Sequence, residues 1–144
     1  MEEEATFLAG RTRVEDFARA SDDYARHHLD NEFASQSSLG GAVVHGVLLL
    51  GFVSAVSSTL LETVESHYVT TGYDSVRFRR PALVGDEVVV RYVVIEADPT
   101  KGTSTAEFEV RGADGRICCA GRHLMKRIPD DPVAGNADPN IAQA

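Results

Sequence analysis

The chain has 144 residues, 43% hydrophobic and 25% charged, with a formal net charge of −8 at pH 7. This length suits one domain around one core, and the acidic balance repels the phosphates of a nucleic acid. The longest apolar stretch, GAVVHGVLLLGFVSAV at 41–56, contains a His and several small or polar residues and is too short to span a bilayer.

In chain order, the opening MEEEATFLAG lacks the basic start and apolar run of a signal peptide, which predicts a cytoplasmic protein. ATFLAGRTRV fits an edge strand or an extended arm. VEDFARASDD carries Val14, Phe17 and Ala18 at helical spacing and predicts a short helix ending near Ser21. FASQSSLGG reads as a polar loop. From Val43 to about Glu65 the apolar residues recur at three and four, and the first half is apolar nearly all round, the mark of a buried helix. Gly51 in its middle costs about 1 kcal/mol against Ala and permits close approach of another backbone. After Tyr68 the period becomes two. YDSVRFRRPALV, DEVVVRYVVIEA, TSTAEFEVRGA and RICCAGRHLMKRI read as strands, separated by turns at 84–87, 98–102 and 112–115. The fold class predicted is α+β, an antiparallel sheet wrapped around one long central helix. An exposed edge strand would be covered by dimerisation. Residues 1–129 form the predicted domain, and the Pro-, Ala- and Asn-containing 130–144 a flexible tail.

Between the short helix and the polar loop lies DDYARHHLD, residues 22–30, with three carboxylates and two histidines in nine positions. As continuous helix it would bring Asp23 to His27 and Asp22 to Arg26, with Asp23 and His28 far apart around the axis. If the helix ends near Ser21 and the chain bends, His28 can face Asp23, and periodicity does not choose between the two. A metal site drawn from His27, His28, Asp30 and His45 is a third arrangement, but adjacent histidines seldom reach one ion together, so no metal is expected. Cys118 and Cys119 are adjacent and read as small buried hydrophobes rather than a disulfide framework.

SDDYARHHLDNEFA at 21–34 resembles the motif of the MaoC-like hydratases and dehydratases, the (R)-specific enoyl-CoA hydratase family of the hot-dog fold. Ser21, Asp23, His28, Asp30, Phe33 and Ala34 fall on that pattern in register. VVHGVLLLGFVS at 43–54 is similar to the family's central-helix segment, and VRFRRPALVGDEV at 76–88 to its F-x-x-P-x-x-x-G-D-x-V segment. The family's Asn-Pro is Ala25-Arg26 here, which bears on the shape of the loop that carries His28, and its Gly after Ser is Asp22.

The resemblance implies hydration of trans-2-enoyl thioesters, or the reverse dehydration, with no cofactor. Asp23 and His28 would hold the water, with Asp23 as base. The backbone N–H of Gly46 would bind the thioester oxygen, which also follows from its place in the first turn of the predicted helix. Ser54 would hydrogen-bond Asp23 or His28 and orient it. His45, beside Gly46, is read as shaping the start of the helix and as a candidate substrate-binding residue, and His27 is read as exposed. Arg26 could act on Asp23 or reach a substrate carboxylate. Arg77 and Arg79, which share a strand face, could meet the phosphates of coenzyme A or of an acyl carrier protein's arm. A homodimer is expected. The alternatives are a hot-dog thioesterase, disfavoured because no acid lies between Val43 and Leu61, and a non-catalytic subunit of a heterodimer.

Overall fold

The computed structural model of the chain describes residues 1–64 and 66–129. The tail expected at 130–144 lies outside the described residues. The elements run β1 (Glu2–Leu8), α1 (Arg11–Ser21), α2 (Arg26–Leu29), α3 (Asn31–Ser35), α4 (Gly46–Leu61), β2 (Tyr68–Phe78), β3 (Glu87–Asp98), β4 (Thr103–Arg111) and β5 (Ile117–Arg127). The strands form one antiparallel sheet in the order β1-β3-β4-β5-β2.

Alternation explains the inner face of this sheet. Val88, Val90 and Tyr92 of β3, and Ala106, Phe108 and Val110 of β4, recur at every second position and are all buried. They pack with Leu49, Phe52, Val53, Val56 and Leu60 of α4 in a single core. Each such large side chain contributes about 1.5–3 kcal/mol by leaving water. The opposite face of α4 differs from the all-round burial expected of it: Val47, Gly51, Ala55 and Ser58, one per turn, are exposed in the single chain.

Two boundaries fall elsewhere than the periodicity places them. α4 starts at Gly46, not Val43, because residues 42–44 are spent on other partners. Val43 N–H donates to the His27 carbonyl at 2.9 Å, Val44 N–H to Ala82 at 2.8 Å, and Ala42 accepts from Val84 at 2.8 Å. For the same reason RRPALV is not the end of β2. The strand stops at Phe78, and 82–84 bond to 42–44 as an isolated bridge. This connection carries the chain from β2 at one edge of the sheet to β3 beside the other. The loop read at 33–41 also begins as helix. Asp30 caps α3 by accepting from the Phe33 N–H at 2.9 Å.

Candidate active site

Residues 22–30 do not form one helix. α1 ends at Ser21, and Asp22 takes a left-handed conformation at φ 59°. Ser21 Oγ donates to the Phe17 carbonyl and accepts from the Asp23 N–H, while Asp23 Oδ1 accepts from the Ala25 N–H at 3.2 Å. The turn releases the helical constraint and the chain restarts as α2 at Arg26. The absence of the family's Asn-Pro does not prevent this, since the first helical position tolerates Pro but does not require it.

The result is that Asp23 and His28 face one another. Asp23 Oδ2 lies 3.9 Å from His28 Nε2. The imidazole is 9% exposed and the carboxylate 50%, so the pair is reached from the carboxylate side. His28 Nδ1–H donates to the Val43 carbonyl at 2.6 Å. That bond fixes the tautomer and leaves Nε2 as an acceptor toward Asp23. The gap is too long for a direct hydrogen bond, but one water can donate to both atoms. Burial holds the His28 imidazole below its ordinary pKa. The Val43 bond and the Asp23 charge oppose that shift, and the neighbouring His45 and His27 add to it.

His45 sits behind this pair. It is 2% exposed, and its ring stacks on His28 with centroids 3.8 Å apart. Its Nε2–H donates to the Asp23 carbonyl at 3.0 Å, while buried Nδ1 has no hydrogen-bond partner. It therefore braces the backbone of Asp23 and the ring of His28. His27, expected exposed, is half-buried, with its ring 4.0 Å from that of His28.

A cavity of about 470 Å³ opens beside the pair, and its wall includes His27, His28, Gly46, Phe78, Arg79 and Arg80. Gly46 is the first residue of α4, and no acceptor among the described residues takes its N–H. The Phe78 ring lies directly over it: a Cβ built on Gly46 would stand 2.9 Å from Phe78 Cε1.

Other expected site residues lie apart. Arg26 is held by Asp30 at 2.8 Å and by the Phe33 ring at 4.2 Å from the centroid, so its charge is not directed at Asp23. Arg77 donates to the neighbouring Val76 carbonyl and is absent from the cavity wall, whereas Arg80, which the strand-face argument passed over, is part of it. Ser54 is two turns beyond Gly46. Its carbonyl accepts from the Ser57 and Ser58 hydroxyls, and no hydrogen bond joins its own hydroxyl to Asp23 or His28 among the described residues. Asp23, His28 and His45 bring potential ligand atoms within 4.8 Å of one another. His45 Nε2, however, is engaged by the Asp23 carbonyl, and Asp30 is spent on its cap and on Arg26.

The profile of the MaoC like domain matches residues 2–113. The chain belongs to the MaoC-like family of hot-dog hydratases and dehydratases. Among MaoC-like relatives, the chain is 29% identical over 117 residues to the (R)-specific enoyl-CoA hydratase of Aeromonas caviae, covering 81% of this chain and 85% of that one. It is 32% identical over 85 residues to the 3-hydroxybutyryl-CoA dehydratase of Methylorubrum extorquens, covering 59% of this chain but only 52% of that one. The solved structure of the A. caviae (R)-hydratase superposes with a TM-score of 0.80 at 26% identity, covering 88% of this chain and 93% of that one. No helix of the described residues is long and apolar enough to cross a membrane.

Proposed function

We propose that this MaoC-like chain adds water across the double bond of trans-2-enoyl thioesters to give (R)-3-hydroxyacyl thioesters, or runs the reverse dehydration. The observation that carries the reading is the Asp23–His28 pair, 3.9 Å apart, whose His28 lines the same cavity as Gly46 with its unengaged N–H. Water sits between Asp23 Oδ2 and His28 Nε2. As its oxygen bonds to the β-carbon, Asp23 takes a proton, with His28 orienting the water through its Nε2 lone pair. The electrons of the double bond move to the thioester oxygen, which the Gly46 N–H and the positive end of α4 stabilise. The proton held by the pair then passes to the α-carbon and the carbonyl reforms. The atoms of one water are added and no cofactor is consumed. His45 positions both groups without touching substrate. The thioester is carried by coenzyme A or by an acyl carrier protein, and the working unit is a homodimer.

Loss of enoyl absorbance from crotonyl-CoA at pH 7 tests the activity. Asp23→Asn and His28→Ala should each reduce turnover by about a hundredfold or more while the circular dichroism spectrum is retained. Wild-type rates in either variant, or no hydration by the parent chain at several acyl lengths, would refute the reading.

A further inference from the structure

Phe78 reaches the cavity through an irregularity in β2, not through strand alternation. Tyr73 packs on the core, so an unbroken period of two would turn Ser75 and Arg77 inward and Phe78 outward. Instead the pairing of β2 with β5 shifts between Asp74 and Arg77, and Ser75 takes φ 54°. Ser75 and Val76 together stand opposite the single residue Gly121, a bulge that re-aims every side chain after it. A Cβ on Gly121 would lie 3.0 Å from the Val76 Cα, so the bulge needs a glycine there. Val76 thereby joins the core, and Phe78, two residues on, turns to the same side and lies over the start of α4. Its backbone is pinned, for Phe78 pairs with Cys119 and the Arg79 N–H donates to the Cys118 carbonyl at 2.7 Å. The ring rests on the bare Cα of Gly46: Phe78 Cε1, Cδ1 and Cζ would stand 2.9, 3.1 and 3.2 Å from a Cβ there.

We infer that Phe78 is a specificity-determining residue whose ring admits a hydrogen on the α-carbon of the thioester and excludes a methyl or larger branch. The inference deepens the hydratase reading and rests on it for the pose of the substrate. An oxygen held by the Gly46 N–H lies about 2.9 Å from that nitrogen, and the α-carbon is two bonds beyond the oxygen. By backbone dimensions the edge of the Phe78 ring lies within about 5.4 Å of the same nitrogen. Oxygen, α-carbon and ring thus share one slot on the cavity wall that also includes His28. The ring already touches Gly46 on its far side, so it has no room to retreat from a branch by moving toward the helix. One methyl group against a fitted apolar wall changes discrimination about tenfold or more.

The test compares the intact chain with Phe78→Leu and Phe78→Ala on crotonyl-CoA and on its 2-methyl analogue, following the enoyl absorbance. The parent should prefer crotonyl-CoA by about tenfold or more in kcat/KM. Phe78→Ala should remove most of that preference by gaining turnover of the branched substrate, with Phe78→Leu between the two. General damage to the fold lowers both rates together and cannot produce this gain. A parent that accepts both substrates equally, or a preference unchanged in both variants, overturns the inference. Sedimentation of the variants adds one more outcome: dissociation to single chains with the preference unchanged assigns the ring to a contact between copies instead. Calorimetry with butyryl-CoA and 2-methylpropanoyl-CoA, which have no double bond to hydrate, reads the same wall without turnover. If the parent hydrates neither enoyl thioester but binds the unbranched acyl group about tenfold more tightly, and Phe78→Ala loses that difference, the wall stands and the hydratase reading falls. Hydration of crotonyl-CoA with an unaltered preference does the reverse.

Discussion

At residue 46 the sequence argument and the structure agree on glycine for different reasons. A free N–H and a bare Cα suggest room for an approaching oxygen. The structure adds that the space a side chain would need is already occupied by the Phe78 ring, 2.9 Å from the position of a Cβ. Phe78 is 53% exposed, so it can be pushed aside. Gly46→Ala therefore acts first on the ring that walls the cavity. Combined with Phe78→Ala it should have little further effect: kcat of the double variant should match that of Phe78→Ala alone, although Gly46→Ala by itself lowers it about tenfold or more. A double variant as impaired as the sum of the two would mean that the methyl group obstructs the thioester oxygen directly. His45 makes the companion point. The sequence marks it beside Gly46, but only its burial and its bond to the Asp23 carbonyl show that it braces the pair.

Among the strands, period two identified the inner faces well, yet it gave no role to His123. On β5 it is fully buried and bridges two other strands. One ring nitrogen lies 2.8 Å from Thr70 Oγ1 of β2 and the other 2.9 Å from the Tyr92 hydroxyl of β3, with Tyr73 stacked on its face. Burial pushes its pKa down, as it does for His28. The folded chain thus resists a proton that the unfolded chain accepts at the ordinary imidazole value of about 6.5. Above that value neither state binds it and the contribution to stability is complete. Below it the unfolded state gains the proton and stability falls. The urea midpoint should be flat from pH 8 to 7 and decline from about 6.5 downward, and His123→Leu should remove much of that decline. The same substitution should cost about 2 kcal/mol at pH 8, because the Tyr92 and Thr70 hydroxyls lose their buried partner. An unchanged pH dependence in His123→Leu would show that the ring is not what titrates.

For the whole molecule, the two sheet edges are not alike. β1 opens with Glu2, Glu3 and Glu4, charges that discourage strand addition. β2 presents exposed Val69 and Phe78 at its edge, and α4 exposes the small-residue face of Val47, Gly51 and Ala55. A two-fold dimer across β2 would continue the sheet and bury that helix face, which accounts for an apolar helix left half uncovered in one chain. Sedimentation should give twice the chain mass of 15.6 kDa, and Ala55→Arg should return it to one chain with unaltered circular dichroism. A monomeric parent protein would remove this explanation.

The sequence by itself determined the antiparallel sheet, the central helix and the order of the motif residues, because strand and helix periods are local and the motif spacing is linear. It could not place the start of α4, since Val43 and Val44 look helical by pattern and are extended because their N–H groups bond the carbonyls of His27 and Ala82, both distant in sequence. It could not choose whether Asp23 meets His27 or His28, a choice made by the left-handed turn at Asp22 and by the Val43 carbonyl that fixes the His28 ring. Nor could strand alternation select the cations at the cavity, for the chain leaves the strand at Phe78 and brings Arg80, rather than Arg77, to the wall. Each of these was decided by contacts between segments distant in sequence, which no local period encodes.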